Sequence, residues 1–410
     1  MKLSARLVRL VWGGDVDRAL RPVLGVGFAG SVASSTAWVF LGIWAKTHLG
    51  ATDSQLGVTY LAAAVLSGLL GFLGGHLSDR IGRRPLILAG NGGQALALVA
   101  FALVGRHILL GLCAAALLPA LGALGGAADQ AMVADLVPRE RHEAGYAATR
   151  VASNLGVTFG PPIGGALLLV NSWPVFFGGA AVLSAVAWAI AFRFIPRSGA
   201  YAPEEPPARG SFRVIRHDRP FLLFLGSSIL ASMTYVAYEV LLPISLVTTH
   251  GVPKALWGVL VIVNPAFVAF FQLRLIRWTA AASAALKLGI AMPLMGLPFL
   301  LLDLTAAIPV VLVVIVLFVL GEMLWIPTSQ AAVAAFAPAD IRGAYMGFFG
   351  SSWSIAWALG PFLGLQVRQA SGDSAMWVCV AAVSVLAGAA GAAAVRGRRV
   401  IPPEAVASGP

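Results

Sequence analysis

The chain is poor in charge, in cysteine and in extended polar sequence. Only 11% of its 410 residues are Asp, Glu, Lys or Arg, against about 25% in a water-soluble globular protein, which excludes a soluble enzyme. The two cysteines, Cys113 and Cys379, each lie inside an apolar run with no nearby His or second Cys, so no metal or redox motif is expected and both read as packing residues. A phosphate loop of the G-x-x-x-x-G-K-S/T kind is absent, so any work the protein does is not driven by ATP at such a loop. Acids are also scarce, 17 against 28 Lys plus Arg for a net charge of +11. That excess is scattered between apolar runs rather than gathered in one patch, which argues against a nucleic-acid partner. The basic start, MKLSARLVRLVWGGDVDRALRP, has Leu10 to Trp12 as its longest apolar run, too short for a signal-peptide core, and reads as a short cytoplasmic segment.

What the chain has in abundance is apolar length. Hydrophobic residues make up 59% and the mean hydropathy is +0.87. Runs of about 20 apolar residues, enough to cross a bilayer as a helix, recur from Pro22 almost to Arg396. Their breaks predict spans at 22–45, 54–74, 85–105, 108–134, 144–170, 173–195, 220–247, 254–275, 281–302, 307–333, 343–366 and 375–395. Backbone groups in lipid must bond internally, and these runs are helix length rather than barrel-strand length. The expected class is therefore an all-α integral membrane protein with twelve spans. In that topology the outer loops hold Lys46, Arg106, Lys254 and Arg368, and the remaining Lys and Arg fall on the inner side. The positive-inside rule then puts both termini in the cytoplasm of a cell-membrane protein.

The longest polar break, 196–217, is rich in Pro and charge and divides the chain into a half at 1–195 and a half at 218–410. The halves echo each other. Pro138 and Pro338, Gly160-Pro161 and Gly360-Pro361, and Gly164 and Gly364 recur at an offset of 200, and Arg21-Pro22 and Arg219-Pro220 open spans one and seven at an offset of 198. Parallel six-helix repeats of this kind imply a secondary transporter with its site between helices near the midplane.

Between spans two and three lies Gly74-Gly75-His76-Leu77-Ser78-Asp79-Arg80-Ile81-Gly82-Arg83-Arg84-Pro85. One acid among three arginines can pair with one of them or cap a helix, and Gly75 and Gly82 permit close backbone approach. In span five, Gly156, Gly160 and Gly164 recur every four residues as a packing stripe, while Arg150, Asn154 and Thr158 lie roughly 200° away on a face predicted to line a cavity. Span eleven repeats the small stripe as Ser352, Ala356, Gly360 and Gly364.

Gly75 to Arg84 resembles the loop motif of the major facilitator superfamily, Gly-x-Leu-x-Asp-Arg-x-Gly-Arg-Arg, at every specified position. Gly156 to Gly165, with Gly160-Pro161 and Gly164-Gly165, is similar to the antiporter motif of the family's drug:proton antiporters. The resemblance implies a loop, Gly75, Asp79, Arg80, Gly82, Arg83 and Arg84, that balances two conformations, and a packing element in Gly156, Gly160, Pro161, Gly164 and Gly165. It also implies export of amphiphilic compounds in exchange for protons. Two departures stand out: span four lacks the arginine usual in those antiporters, and Arg274-Leu275-Ile276-Arg277, the second-half counterpart of the loop, lacks Asp and Gly.

Three acids lie well within apolar runs, Asp129, Glu239 and Glu322. An ionised group near the bilayer centre costs about 2.5 to 3.5 kcal/mol on insertion scales, so each must be protonated, paired or wet. Glu322, with Trp325 and Ser329 on its face and Pro327 just beyond, is the first candidate for a proton carrier. Glu239 with Ser232 and Tyr235 is the second, and Ser31, Ser34, Ser35 and Trp38 extend the same chemistry in span one. Rings and hydroxyls around one or two carboxylates suit amphiphilic, often cationic compounds. Asp129 and Arg150 stand at matching depth on adjacent spans and form a candidate ion pair. The expected partners are a small-molecule substrate, protons and lipid, with the protein a monomer that needs neither cofactor nor metal. A proton-coupled importer or a sugar or metabolite exporter is the neighbouring alternative. A membrane-embedded enzyme is the remote one, since His76, His107, His142, His217 and His250 sit in or near loops and His48 beside Lys46.

Overall fold

The computed structural model of the protein describes residues 18–137, 142–196, 214–338 and 341–396. The amino-terminal segment and most of the expected linker at 196–217 lie outside the described residues. Among those described there is helix and no strand, as apolar runs in lipid require. The helices are α1 Arg21–Thr47, α2 Asp53–Ile81, α3 Arg83–Leu103, α4 Ile108–Leu136, α5 His142–Leu168 and α6 Trp173–Phe194. They continue as α7 Arg219–Thr248, α8 in two pieces at Lys254–Leu260 and Val263–Trp278, α9 Ala284–Asp303, α10 Ile308–Phe336 and α11 Arg342–Val395. Both Arg-Pro pairs open a helix, α1 and α7, with proline in the first turn where its missing N–H costs nothing.

Among the described residues, ten segments are long and apolar enough to cross a membrane. The fifth expected span is present as α5, 27 residues long, outside those ten. The eleventh and twelfth appear as one segment because α11 runs through 54 residues. A straight helix of that length would measure about 80 Å, far beyond a hydrocarbon core of about 30 Å. It is broken at Gly372, whose φ of 84° and ψ of 179° are not helical and are open only to glycine at little cost. The predicted loop there is a one-residue hinge.

Two compact units divide the described residues. The first takes everything up to Ala51, Ala62 to 196, and Pro253–Val259; the second takes Thr52–Leu61, 214 to Val252, and Leu260 onward. In the first unit α1 packs on α5 and α6, and α3 on α4 and α6. In the second, α7 packs on the part of α11 before Gly372, where Gly364 meets Leu241, and on the part after it, where Ser227 Oγ donates to the Ala387 carbonyl at 2.8 Å, while α9 packs on α10 and on that later part, where Gly388 meets Pro293. The same pairing scheme thus recurs in both units.

The glycine stripe behaves as its spacing predicts. A Cβ on Gly156 would stand 2.5 Å from the Phe28 carbonyl oxygen, one on Gly160 2.7 Å from the Val32 oxygen, and one on Gly164 2.8 Å from the Thr36 oxygen. Only hydrogen fits between these backbones. The approach is close enough for Thr36 Oγ1 to donate to the Gly160 carbonyl at 3.0 Å. Gly165 similarly meets Ala255 and Gly258. In the α11 stripe Gly360 is in ordinary contact with Val236 and Met233 of α7, and a Cβ on Gly364 would run into the Leu241 side chain rather than into backbone.

Two expectations are corrected on this frame. Cys113 and Cys379 are exposed rather than packed, because a lipid-facing surface accepts the same residues as the interior. The close approach assigned to Gly75 belongs to Gly74, where a Cβ would collide with the Leu124 backbone; Gly75 is in ordinary contact with Ala127 at 3.5 Å.

Candidate functional site

Three constellations carry the polar chemistry, and prolines shape one of them. In α7, Pro243 has no N–H to give the carbonyl of Glu239 four residues back. The helix widens over Ala237–Leu241 into a π segment, with the Leu242 N–H bonding to the Ala237 carbonyl five residues earlier. Glu239 sits in that segment, a deviation common at functional sites. In α10, Pro327 leaves the Met323 carbonyl without its helical donor, and Gln272 Nε2 of α8 takes the place at 2.9 Å. The freed carbonyl is satisfied from a neighbouring helix, as lipid demands.

These distortions set the two acids of the second unit in one neighbourhood. Glu322 is buried, 8% exposed, and its Oε2 accepts from Asn264 Nδ2 at 2.6 Å. Glu239 follows Tyr235 by four residues, in the π segment of the same helix, and Glu239 and Glu322 interact electrostatically. Tyr235 meets Trp353 edge to face at 5.0 Å, and Trp325 lies 5.6 Å from Trp353. Three buried polar atoms here have no hydrogen-bond partner among the described residues: Ser232 Oγ, Trp325 Nε1 and Ser329 Oγ. Such groups are costly unless something else satisfies them. The site offers a visitor two carboxyls, three rings and unused donors. Sequence reasoning found Glu322, Glu239, Tyr235 and Trp325 but missed Asn264, Gln272 and Trp353. Pro243 was the readable sign that α7 departs from regular helix.

The loop motif forms the second constellation. Asp79 pairs with Arg83, one turn along. The Arg83 Nε also donates to Asp135 at the end of α4, at 3.2 Å, and its Nη1 to Ser78 Oγ at 2.9 Å. Gly82 stands between the two helices with φ of 93°. Arg80 and Arg84 are outside this cluster; Arg84 lies over the Phe192 ring. Asp135 was not foreseen, because nothing in sequence links it to a loop 52 residues away.

The third lies in the first unit, where residues of α1, α3, α4 and α5 line a half-open cavity of about 240 Å³ to which Asp129 contributes. The expected Asp129–Arg150 ion pair is absent among the described residues, and Arg150 and Asn154 are exposed. From α5 the cavity is lined by Thr149 and Ser153 instead. Helix rotation decides this, and here it turns Arg150 away. Ser31 and Ser34 also line the cavity, whereas Trp38 is half-buried and does not.

Membrane-length helices, two units on one pairing scheme, and buried acids set among rings and hydroxyls define a membrane transport protein. Residues 23–361 match the Major Facilitator Superfamily, and the chain belongs to that family, whose members are multi-pass membrane transporters and not enzymes. It is 28% identical over 321 residues to the multidrug resistance protein MdtH of Edwardsiella ictaluri, covering 75% of this chain and 77% of that one. It is 23% identical over 380 residues to a Na(+), Li(+), K(+)/H(+) antiporter of Planococcus maritimus, covering 85% and 89%. Among solved structures it is similar in fold to a peptide transporter POT in complex with alafosfalin, with a TM-score of 0.76 at 17% identity over 93% of this chain and 95% of that one.

Proposed function

We propose that the protein exports small amphiphilic, often cationic compounds in exchange for protons, crossing the cell membrane twelve times as a monomer with both termini in the cytoplasm. The observation that carries this reading is the acid pair Glu239 and Glu322 among Tyr235, Trp325 and Trp353. Aromatic faces and carboxylates attract cations, an apolar wall tolerates varied shapes, and a carboxyl that loads and unloads a proton couples the two fluxes. In alternating access the two halves, 1–195 and 218–410, would rock about the site while the Asp79 loop holds one state closed. Relatives named for multidrug resistance and for cation/proton antiport support efflux over uptake.

The test uses inside-out membrane vesicles acidified within. A cationic dye should accumulate in vesicles carrying the protein, and collapse of the pH gradient should release it. Absence of gradient-driven accumulation across a panel of amphiphilic cations would overturn the reading and favour a proton-coupled importer or metabolite exporter.

A further inference from the structure

The cavity of the first unit has a chemistry unlike that of the aromatic acid pair. None of the residues lining it is aromatic, and none is Lys or Arg. Glycines of α1 and α4 leave the room: Gly126 has no atom within 4 Å of where its Cβ would stand, and Gly27 would meet only Ser153 Oγ at 3.6 Å. The polar part of the wall is hydroxyls and side-chain amides, among them Ser31, Asn91, Gln94, Gln130 and Ser153, and Val23, Val26 and Val133 supply an apolar part. Asn91 is held with its oxygen outward from its own helix. Its Nδ2 donates to the Ile87 carbonyl at 2.9 Å, and Oδ1 lies 3.4 Å from the Cβ position of Gly30 across the gap. Asp129 is the one titratable residue among those lining the cavity from all four helices, and no ion pair or hydrogen bond to another described residue uses its carboxylate.

Asp129 is half-buried and has no internal cation, so its carboxylate is neutralised by a proton or by a counter-charge that enters the cavity from outside the protein. Hard oxygen donors select hard cations. A single negative charge balances a monovalent ion and leaves a divalent one uncompensated. At roughly 30 Å³ per water, the volume accommodates such an ion with several waters, and the lack of rings disfavours an amphiphile. We infer that this cavity is a binding site for a monovalent alkali cation, Na⁺ or Li⁺, held by the Asp129 carboxylate with Asn91 Oδ1 and neighbouring hydroxyls and water. Where Asp129 arrives protonated, binding replaces O–H by an ionic O⁻···M⁺ contact and releases the proton to water. The site goes beyond the proposed exchange of substrate for protons and does not depend on Glu239 or Glu322.

The experiment is equilibrium binding of ²²Na⁺ to the purified full-length protein in detergent, with N-methylglucamine chloride holding ionic strength constant. Wild type and Gly178→Ala, a position with open space around it, should bind saturably with similar affinity, unlabelled Li⁺ should compete, and Asp129→Asn should weaken binding at least tenfold. Asn91→Ala, which leaves the carboxylate in place, should weaken it less, and provides the comparison if Asp129→Asn does not yield folded protein. Lowering the pH should weaken wild-type binding as protons compete for the same oxygen. Saturable binding unaffected by either cavity variant, loss of binding in Gly178→Ala, or protonation of the cavity with no ²²Na⁺ bound would each overturn the assignment.

Discussion

Removing Arg83 should harm the protein more than removing the acid that the motif is known by. The Arg83 side chain is 9% exposed and its two partners differ: Asp135 is 13% exposed, Asp79 42%. A half-solvated pair contributes about 0 to 1 kcal/mol, so Asp79→Asn should cost no more than that, leaving Arg83 its bond to Asp135. Arg83→Met strands Asp135 where water reaches it poorly, a loss of about 3 to 5 kcal/mol. Asp135→Asn, which weakens one charge-assisted bond, should fall between at about 1.5 to 3 kcal/mol. Combining Arg83→Met with Asp135→Leu should recover most of the loss, because a buried ion pair exchanged for apolar contacts is often near neutral. The assay is the fraction of monodisperse protein left after heating in detergent, read by size exclusion across a temperature series. Transport by Asp79→Asn should still slow, since the conformational balance rather than the fold is disturbed. Equal destabilisation by Asp79→Asn and Arg83→Met would refute the reasoning from exposure.

Glu322→Gln should abolish transport driven by a pH gradient while substrate binding remains measurable, and persistence of gradient-driven transport would move the proton to Glu239. Gly160→Ala forces a methyl against the α1 backbone and threatens the Thr36 bond, an overpacking cost of about 1 to 3 kcal/mol; Gly178→Ala, with open space around it, should melt like wild type. Arg368 donates to both oxygens of Asp53 at 2.8 and 3.0 Å, to Asp373 at 2.6 Å and to Thr248 and Thr249. A lysine cannot reproduce that fork, so Arg368→Lys should lower the melting temperature by several degrees, and unchanged melting would show the cluster contributes little.

The helices were readable because apolar length is a strong signal, and the glycine stripe because close packing leaves few residue choices. What faces what was not readable. In a soluble helix the polar face marks water and so sets the rotation; in lipid both the outside and the interior accept Leu, Val and Cys. That is why Cys113 and Cys379 were expected inside and Arg150 was turned toward Asp129. Partners far apart in sequence, Asn264 for Glu322 and Asp135 for Arg83, depend on helix pairing that no local pattern encodes. Gly372 had a local sign, a lone glycine between apolar runs, yet a hinge and a loop leave the same trace.

The two free, exposed thiols have a practical consequence. Cys113 belongs to the first compact unit and Cys379 to the second, and the chain holds no other cysteine. The native protein therefore carries one attachment point per unit for an apolar maleimide spin label or fluorophore. Double electron–electron resonance between them would follow the separation of the units as substrate, pH or sodium is changed, with no engineered cysteine and no background label to subtract.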